Sequence, residues 1–153
     1  MICAFKPLLS MLAAWQFSGH PDASALADAG RMFNVPAPLM WAVAYRETRW
    51  DVTNLPTSSA GAVGRMQVMP SVWGRICGPL RGRRHYATNV ACGAMVLRYY
   101  LDLCADDQRC AAWHYVGGDS VYAREVGLHS LLYELKASRS WPKSPLNKSG
   151  LPS

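Results

Sequence analysis

Negative charge is scarce in this chain. Ten acidic residues face sixteen lysines and arginines, and Glu47 is the only glutamate in the first 124 residues. Long apolar runs are missing too: the stretch from Pro7 to Trp15 is too short to cross a bilayer, so no stable membrane span is expected. No cysteine has the spacing of a zinc ligand, which argues against a metal site. No nucleic-acid motif accompanies the basic charge, and nucleic acid is set aside as a partner. Internal repeats and a series of strands are absent as well. Charged residues make up only 17% and apolar residues 50%, so the chain is not an intrinsically disordered one. Its 153 residues suffice for a single domain with its own core.

Fourteen of the sixteen basic residues lie beyond residue 45, including the run Arg81-Gly82-Arg83-Arg84. Such a surface suits an anionic polymer, and a bacterial wall with its peptide carboxylates is one. At the N-terminus Lys6, the apolar run to Trp15 and Ala23-Ser24-Ala25 have the layout of a secretory signal with an A-x-A site. An ordinary N-terminal helix packed on the domain is the other reading. The signal reading divides the chain into a signal peptide over 1–25, a domain over 26–137 and a flexible tail over 138–153 rich in Ser, Pro and Lys. It also places the protein in the periplasm. Removing the signal deletes Cys3 and leaves Cys77, Cys92, Cys104 and Cys110, an even number. Cys104 and Cys110 are close enough to staple consecutive helices, and Cys77 and Cys92 then pair with each other. The alternative is four reduced, buried thiols.

Helical spacing dominates what remains. Leu26, Ala29, Met32 and Phe33 predict a short helix ending near Asn34, although Gly30 weakens it. Pro36 suits the first turn of a second helix, with Leu39, Val43, Glu47 and Trp50 on one face. Pro70 opens a third, with Val72 and Trp73 available for burial. Thr88 or Asn89 can cap a fourth, whose stripe is Val90, Ala94, Leu97 and Leu101. A further helix runs through Ala111 to Tyr115 until Gly117-Gly118 breaks it, and two short ones cover Ser120–Val126 and Leu128–Lys136. Periodicity alone says mostly helical.

The stretch Tyr45 to Pro70, YRETRWDVTNLPTSSAGAVGRMQVMP, says more. Glu47, Thr48 and Trp50 are followed by Ser58, Gly61, Ala62, Gly64, Arg65, Met66, Gln67, Met69 and Pro70. This order resembles the lytic transglycosylase family, whose pattern is Glu-Ser-x-aromatic and then Ser-x-x-Gly-Ala-x-Gly-Leu-Met-Gln-x-Met-Pro. Two positions depart from it: Thr48 stands for Ser, and Arg65 for Leu. Asn89, Val90, Gly93, Ala94 and Leu97 resemble the family's later helix. The resemblance implies a mostly α, lysozyme-like single domain that cleaves peptidoglycan glycan strands without metal or cofactor. It implies Glu47 as the catalytic residue, with Ser58, Met66 and Gln67 around the substrate. Met66 reads equally well as core filler, and Ser58 as a turn-stabilising hydroxyl. The family's Ala-Ala-Tyr-Asn-Ala-Gly motif is degraded to Ala111–Gly118. Aligning the alanines puts Trp113 at the tyrosine; aligning Tyr-x-x-Gly selects Tyr115, which we prefer because a phenol near the acid has a chemical use that indole lacks.

A carboxylic acid can protonate a glycosidic oxygen near neutral pH only if its surroundings keep the proton on. Burial does this, and so does the negative end of a helix, where Glu47 is expected. Arg46 and Arg49 oppose it, but residues one or two apart do not face each other on a helix, so their effect is expected to be modest. Most glycosidases use two carboxylates; the resemblance assigns no second one, leaving Asp51 a surface or capping role. The short, cysteine-bearing form is similar to enzymes that accompany secretion, conjugation or pilus machinery, whose proteins become expected partners. A phage wall-degrading enzyme, a hydrolytic muramidase and a catalytically weak wall-binding scaffold are the competing readings.

Overall fold

The computed structural model describes residues 22–49 and 55–140. The signal-like segment up to residue 21, Trp50 and Asp51, and the tail from 141 onward lie outside the described residues. The elements in order are α1 (Ala23–Met32), α2 (Ala37–Thr48), α3 (Pro70–Cys77), a 3-10 turn (Arg83–His85), α4 (Tyr86–Leu103), α5 (Gln108–Tyr115) and α6 (Ser120–Ser140). Among the described residues there are no strands; isolated bridges pair Thr57 with Val63 and Val63 with Val68 inside the loop between α2 and α3. The described residues form a mostly helical domain.

α2 packs along α6, with α1 beside it and α5 bridging α4 and α6. The inward stripes supply the core: Leu26 from α1, Leu39 and Val43 from α2, and Val90, Ala94, Leu97 and Leu101 from α4 are all buried. Each such aliphatic side chain larger than Ala stabilises the fold by about 1.5–3 kcal/mol relative to exposure. At the α2–α6 seam the Tyr45 ring meets the edge of His129 at 4.8 Å. Two disulfides join neighbouring helices. Cys77–Cys92 ties the end of α3 to α4, and Cys104–Cys110 ties the end of α4 to the start of α5. Closing a 15-residue interval such as the first contributes about 3 kcal/mol on the chain-entropy account.

Three local expectations are corrected. Neither Thr88 nor Asn89 is a cap: α4 begins at Tyr86, both lie inside it, and Asn89 is buried and bonded to the loop before α3. Val72 is 62% exposed rather than buried, and Trp73 alone packs on the core. The two short C-terminal helices are one, running unbroken to Ser140. Gly127 lies inside it because a Cβ there would come within 2.9 Å of the Arg109 side chain of α5. That close approach offsets the ~1 kcal/mol that glycine costs a helix. Asp119 starts α6 by accepting hydrogen bonds from the backbone N–H groups of Val121 and Tyr122, at 2.8 and 3.0 Å.

The N-terminal boundary drawn between 25 and 26 falls inside α1. Ala23 supplies the carbonyl that accepts from Trp41 Nε1 at 3.0 Å, and buried Asp22 forms an ion pair with fully buried Arg65 at 2.5 Å. A chain beginning at Leu26 should be less stable than one beginning at Gly19 by about 3–5 kcal/mol, the usual cost of stranding a buried charge. Urea unfolding of the two forms measures the difference.

Candidate active site

Glu47 projects from the last turn of α2, one turn beyond the buried Val43. The helix stops after Thr48, where Arg49 takes a left-handed conformation with φ of 50° and its N–H bonds the Tyr45 carbonyl at 2.8 Å. The carboxyl is therefore at the negative end of the helix and leans back against the body of the protein. There the hydroxyl of Tyr122, from the first turns of α6, donates to Glu47 Oε1 at 2.5 Å. Burial holds the Glu47 carboxyl above its ordinary range; the Tyr122 hydrogen bond and the Arg46 charge pull the other way without cancelling it.

Tyr122 is buried, and burial, with the nearby Glu47 charge, pushes its own phenol well above the usual range. It therefore stays protonated and acts as the donor. With Oε1 accepting from Tyr122, the proton of a neutral Glu47 is placed on Oε2, where it can be given away. Arg46 is only a weak counter-influence because its guanidinium is shared: Nε lies 2.8 Å from Glu125 Oε2, and the group sits over the Tyr122 ring at 5.4 Å. Arg49 turns to the Tyr45 ring instead, at 4.8 Å. Glu125, about one turn beyond Tyr122, is thus held by Arg46.

The second component is the loop from Pro56 to Val68. Ser58 makes a reciprocal pair with Ala62, its N–H donating to the Ala62 carbonyl at 2.8 Å and its Oγ accepting from the Ala62 N–H at 3.0 Å. Gln67 has φ of 47°, and its Nε2 donates to the carbonyls of Pro56 and Gly64, both at 2.9 Å. Met66 is fully buried, as core. Its N–H donates to Asn89 Oδ1 at 2.9 Å, while Asn89 Nδ2 donates to the Val63 carbonyl at 2.8 Å. This docking on α4 requires two glycines. A Cβ on Gly64, whose φ is 76°, would lie 2.5 Å from the Asn89 amide, and one on Gly93 would lie 2.6 Å from Met66 Cβ.

Tyr115 joins this loop to α5: its hydroxyl donates to the Met66 carbonyl at 2.7 Å. The phenol is pushed well above its ordinary range by burial and by the Glu47 charge, so it shares the acid's electrostatic surroundings. Trp113 is instead 42% exposed. The sequence-predicted residues thus separate by task. Ser58 and Gln67 shape the loop, Met66 anchors it, Tyr115 ties it to α5, and the phenol bonded directly to Glu47 belongs to Tyr122. Tyr122 escaped the sequence reading, although its helical spacing with Val126, both buried, was the available signal. Three groups that could ligate a metal, on Cys104, Cys110 and His114, lie within 4.8 Å of one another. The two sulfurs are joined as a disulfide, which leaves the imidazole alone.

The family model described as the transglycosylase SLT domain matches residues 24–130. A comparison with curated proteins gave no match. Titration of the Glu47 carboxyl carbon by NMR should give a midpoint above that of an ordinary glutamate. In Tyr122→Phe the bond that favours the anion is gone while the burial stays, so the midpoint should move further up. A midpoint that falls in this variant would reverse the sign argued for Tyr122.

Proposed function

The chain belongs to the lytic transglycosylase family of lysozyme-like enzymes that act on peptidoglycan, and from that premise we propose that Glu47 is the single acid and base of its reaction. The observation that carries this reading is the half-buried carboxyl at the end of α2, raised by desolvation and held through one oxygen by Tyr122. In the first step Glu47 Oε2 gives its proton to the oxygen linking N-acetylmuramic acid to N-acetylglucosamine, and the bond to the muramyl C1 breaks. The substrate's N-acetyl group stabilises the oxocarbenium-like centre. In the second step the Glu47 carboxylate takes the proton of the muramyl C6 hydroxyl, and O6 bonds to C1. The product is a 1,6-anhydro sugar; no water is consumed, and Glu47 regains its proton.

Tyr122 keeps Glu47 oriented between the two steps, and its unbroken O–H stabilises the anion while the proton is away. Ser58, Met66, Gln67 and Tyr115 set the loop beside the acid, where the glycan would lie. Two disulfides suit an oxidising compartment, and the net charge of +6 suits a wall carrying carboxylates. We place the enzyme in the periplasm, opening the wall locally for an envelope-spanning machine such as a secretion or conjugation apparatus.

Glu47→Gln should lose activity by about 10²–10⁴-fold, the usual contribution of a positioned general acid or base, while remaining folded. Mass spectrometry of digested peptidoglycan identifies the wild-type product. Anhydro ends, one water lighter than hydrolysed ends, are expected; reducing ends would make the enzyme a muramidase, and no new ends would leave a wall-binding protein. For the compartment, non-reducing peptide mapping of protein from the cell envelope should recover the Cys77–Cys92 and Cys104–Cys110 pairs. Four free thiols would contradict the placement.

A further inference from the structure

Thr48 and Arg65, the two positions at which the motif departs from the family pattern, touch each other. Arg65 follows Gly64 in the loop, yet its side chain is 0% exposed. Its Nε meets Asp22 Oδ2 at 2.5 Å just before α1, and its Nη1 donates to the Ala44 carbonyl at 3.0 Å and to Thr48 Oγ1. Thr48 Oγ1 in turn lies 3.1 Å from the Ala44 carbonyl, to which it can donate, and 3.4 Å from the carbonyl of Arg65. One guanidinium therefore joins three separate pieces of chain: the start of α1, the last turn of α2 and the loop. We propose that Asp22, Arg65 and Thr48 form a buried clamp that positions Glu47 for catalysis.

The last turn of a helix is where backbone carbonyls lack partners and where ends fray. Glu47 lies in that turn, immediately before Thr48, so its place depends on whether the turn is held. A cation at a helix C-terminus is favoured by the dipole, and a guanidinium holds its donors in a rigid planar fork that a compact ammonium cannot reproduce. Asp22 compensates the charge, without which burying a guanidinium would cost several kcal/mol. On its other side Arg65 is continuous with Met66, whose carbonyl accepts from Tyr115 and whose N–H is held by Asn89. The clamp thus fixes the acid-bearing turn relative to the loop and to Tyr115, while Tyr122 holds the carboxyl itself. Arg65 and Thr48 act through Glu47 and are positioning residues.

This inference rests on Glu47 being the acid, and the two can fail separately. Thr48→Val keeps the branched shape and removes the hydroxyl that receives Arg65. In the full, disulfide-intact protein it should remain folded, yet turnover on purified peptidoglycan should fall about tenfold, since misplacement by an ångström can cost up to about 10²-fold. Loosening the turn lets water reach the carboxyl, and burial is the largest influence on it, so the alkaline limb of the pH–rate profile should move to lower pH. Thr48→Ser restores the oxygen and should restore both readings. A folded Thr48→Val with turnover within about twofold of wild type, with an unmoved limb, or without rescue by Ser overturns the clamp. Should Thr48→Val not fold, Arg65→Lys takes its place under the same criteria, because lysine keeps the charge and loses the fork. Activity surviving in Glu47→Gln would remove the acid assignment itself; an inactive Glu47→Gln beside an unchanged Thr48→Val removes the clamp alone.

Discussion

A carboxyl taken out of water is the constraint around which the rest of this protein is arranged. A glutamate at the protein surface is an anion at neutral pH and of little use as a proton donor. Glu47 is different because the end of α2 presses it against α6, and desolvation outweighs the one hydrogen bond and the one cation that favour its charge. That balance depends on several parts of the chain holding still. Asp119 starts α6 so that Tyr122 arrives at Glu47, and the α2–α6 packing keeps the two helices together. Arg46 would weaken the effect if its charge were free, but Glu125 and the face of Tyr122 share it.

The loop beside the acid solves a second problem. It is irregular backbone near a core, where unpaired N–H and C=O groups are expensive. Backbone bonds from Val68, Gly64 and Gln67 already reach the carbonyls of Val63, Pro56 and Gly64, and side chains add to them: Asn89 bonds Val63 and Met66, Gln67 bonds Pro56 and Gly64, Ser58 bonds Ala62, and Tyr115 bonds Met66. The result is a densely hydrogen-bonded loop made without a sheet. Its glycines are explained by the same contacts, since Gly64 and Gly93 are the places where Asn89 and Met66 leave no room for a Cβ. Residues that a motif marks as substrate-binding thus carry structural bonds as well, and the site stands on them.

Charge is divided between two uses. Arg65 is spent inside, against Asp22, where it ties the start of the domain to the acid-bearing turn. Arg81 and Arg84 are exposed on the turn before α4 and contribute to the positive surface of a chain whose net charge is +6. An exposed charge is screened by salt and attracts at a distance, whereas a buried pair is neither; the first suits an anionic wall and the second suits geometry.

Much of this was legible in the amino-acid order. The buried stripes of α2 and α4, and Leu26 and Ala29 of α1, follow from local spacing, because a helix places every third and fourth residue on one face whatever lies opposite; Met32, read on the same face of α1, is 74% exposed. The position of Glu47 at a helix end, the loop signalled by its glycines and the two cysteine pairs are local facts of the same kind. What lay opposite was not legible. Tyr122 is 75 residues from Glu47, Asn89 is 23 from Met66, and Asp22 is 43 from Arg65, and no periodicity connects them. Asn89 has the composition of a helix cap and Arg65 that of a surface cation. Each became a buried bonding partner because packing brought it against polar groups of distant segments. The sequence by itself determined where most of the helices lie and that one glutamate stands near the end of α2. Only the tertiary structure decided which phenol holds that carboxyl and which buried cation holds its helix, because desolvation and hydrogen bonding depend on neighbours in space rather than along the chain.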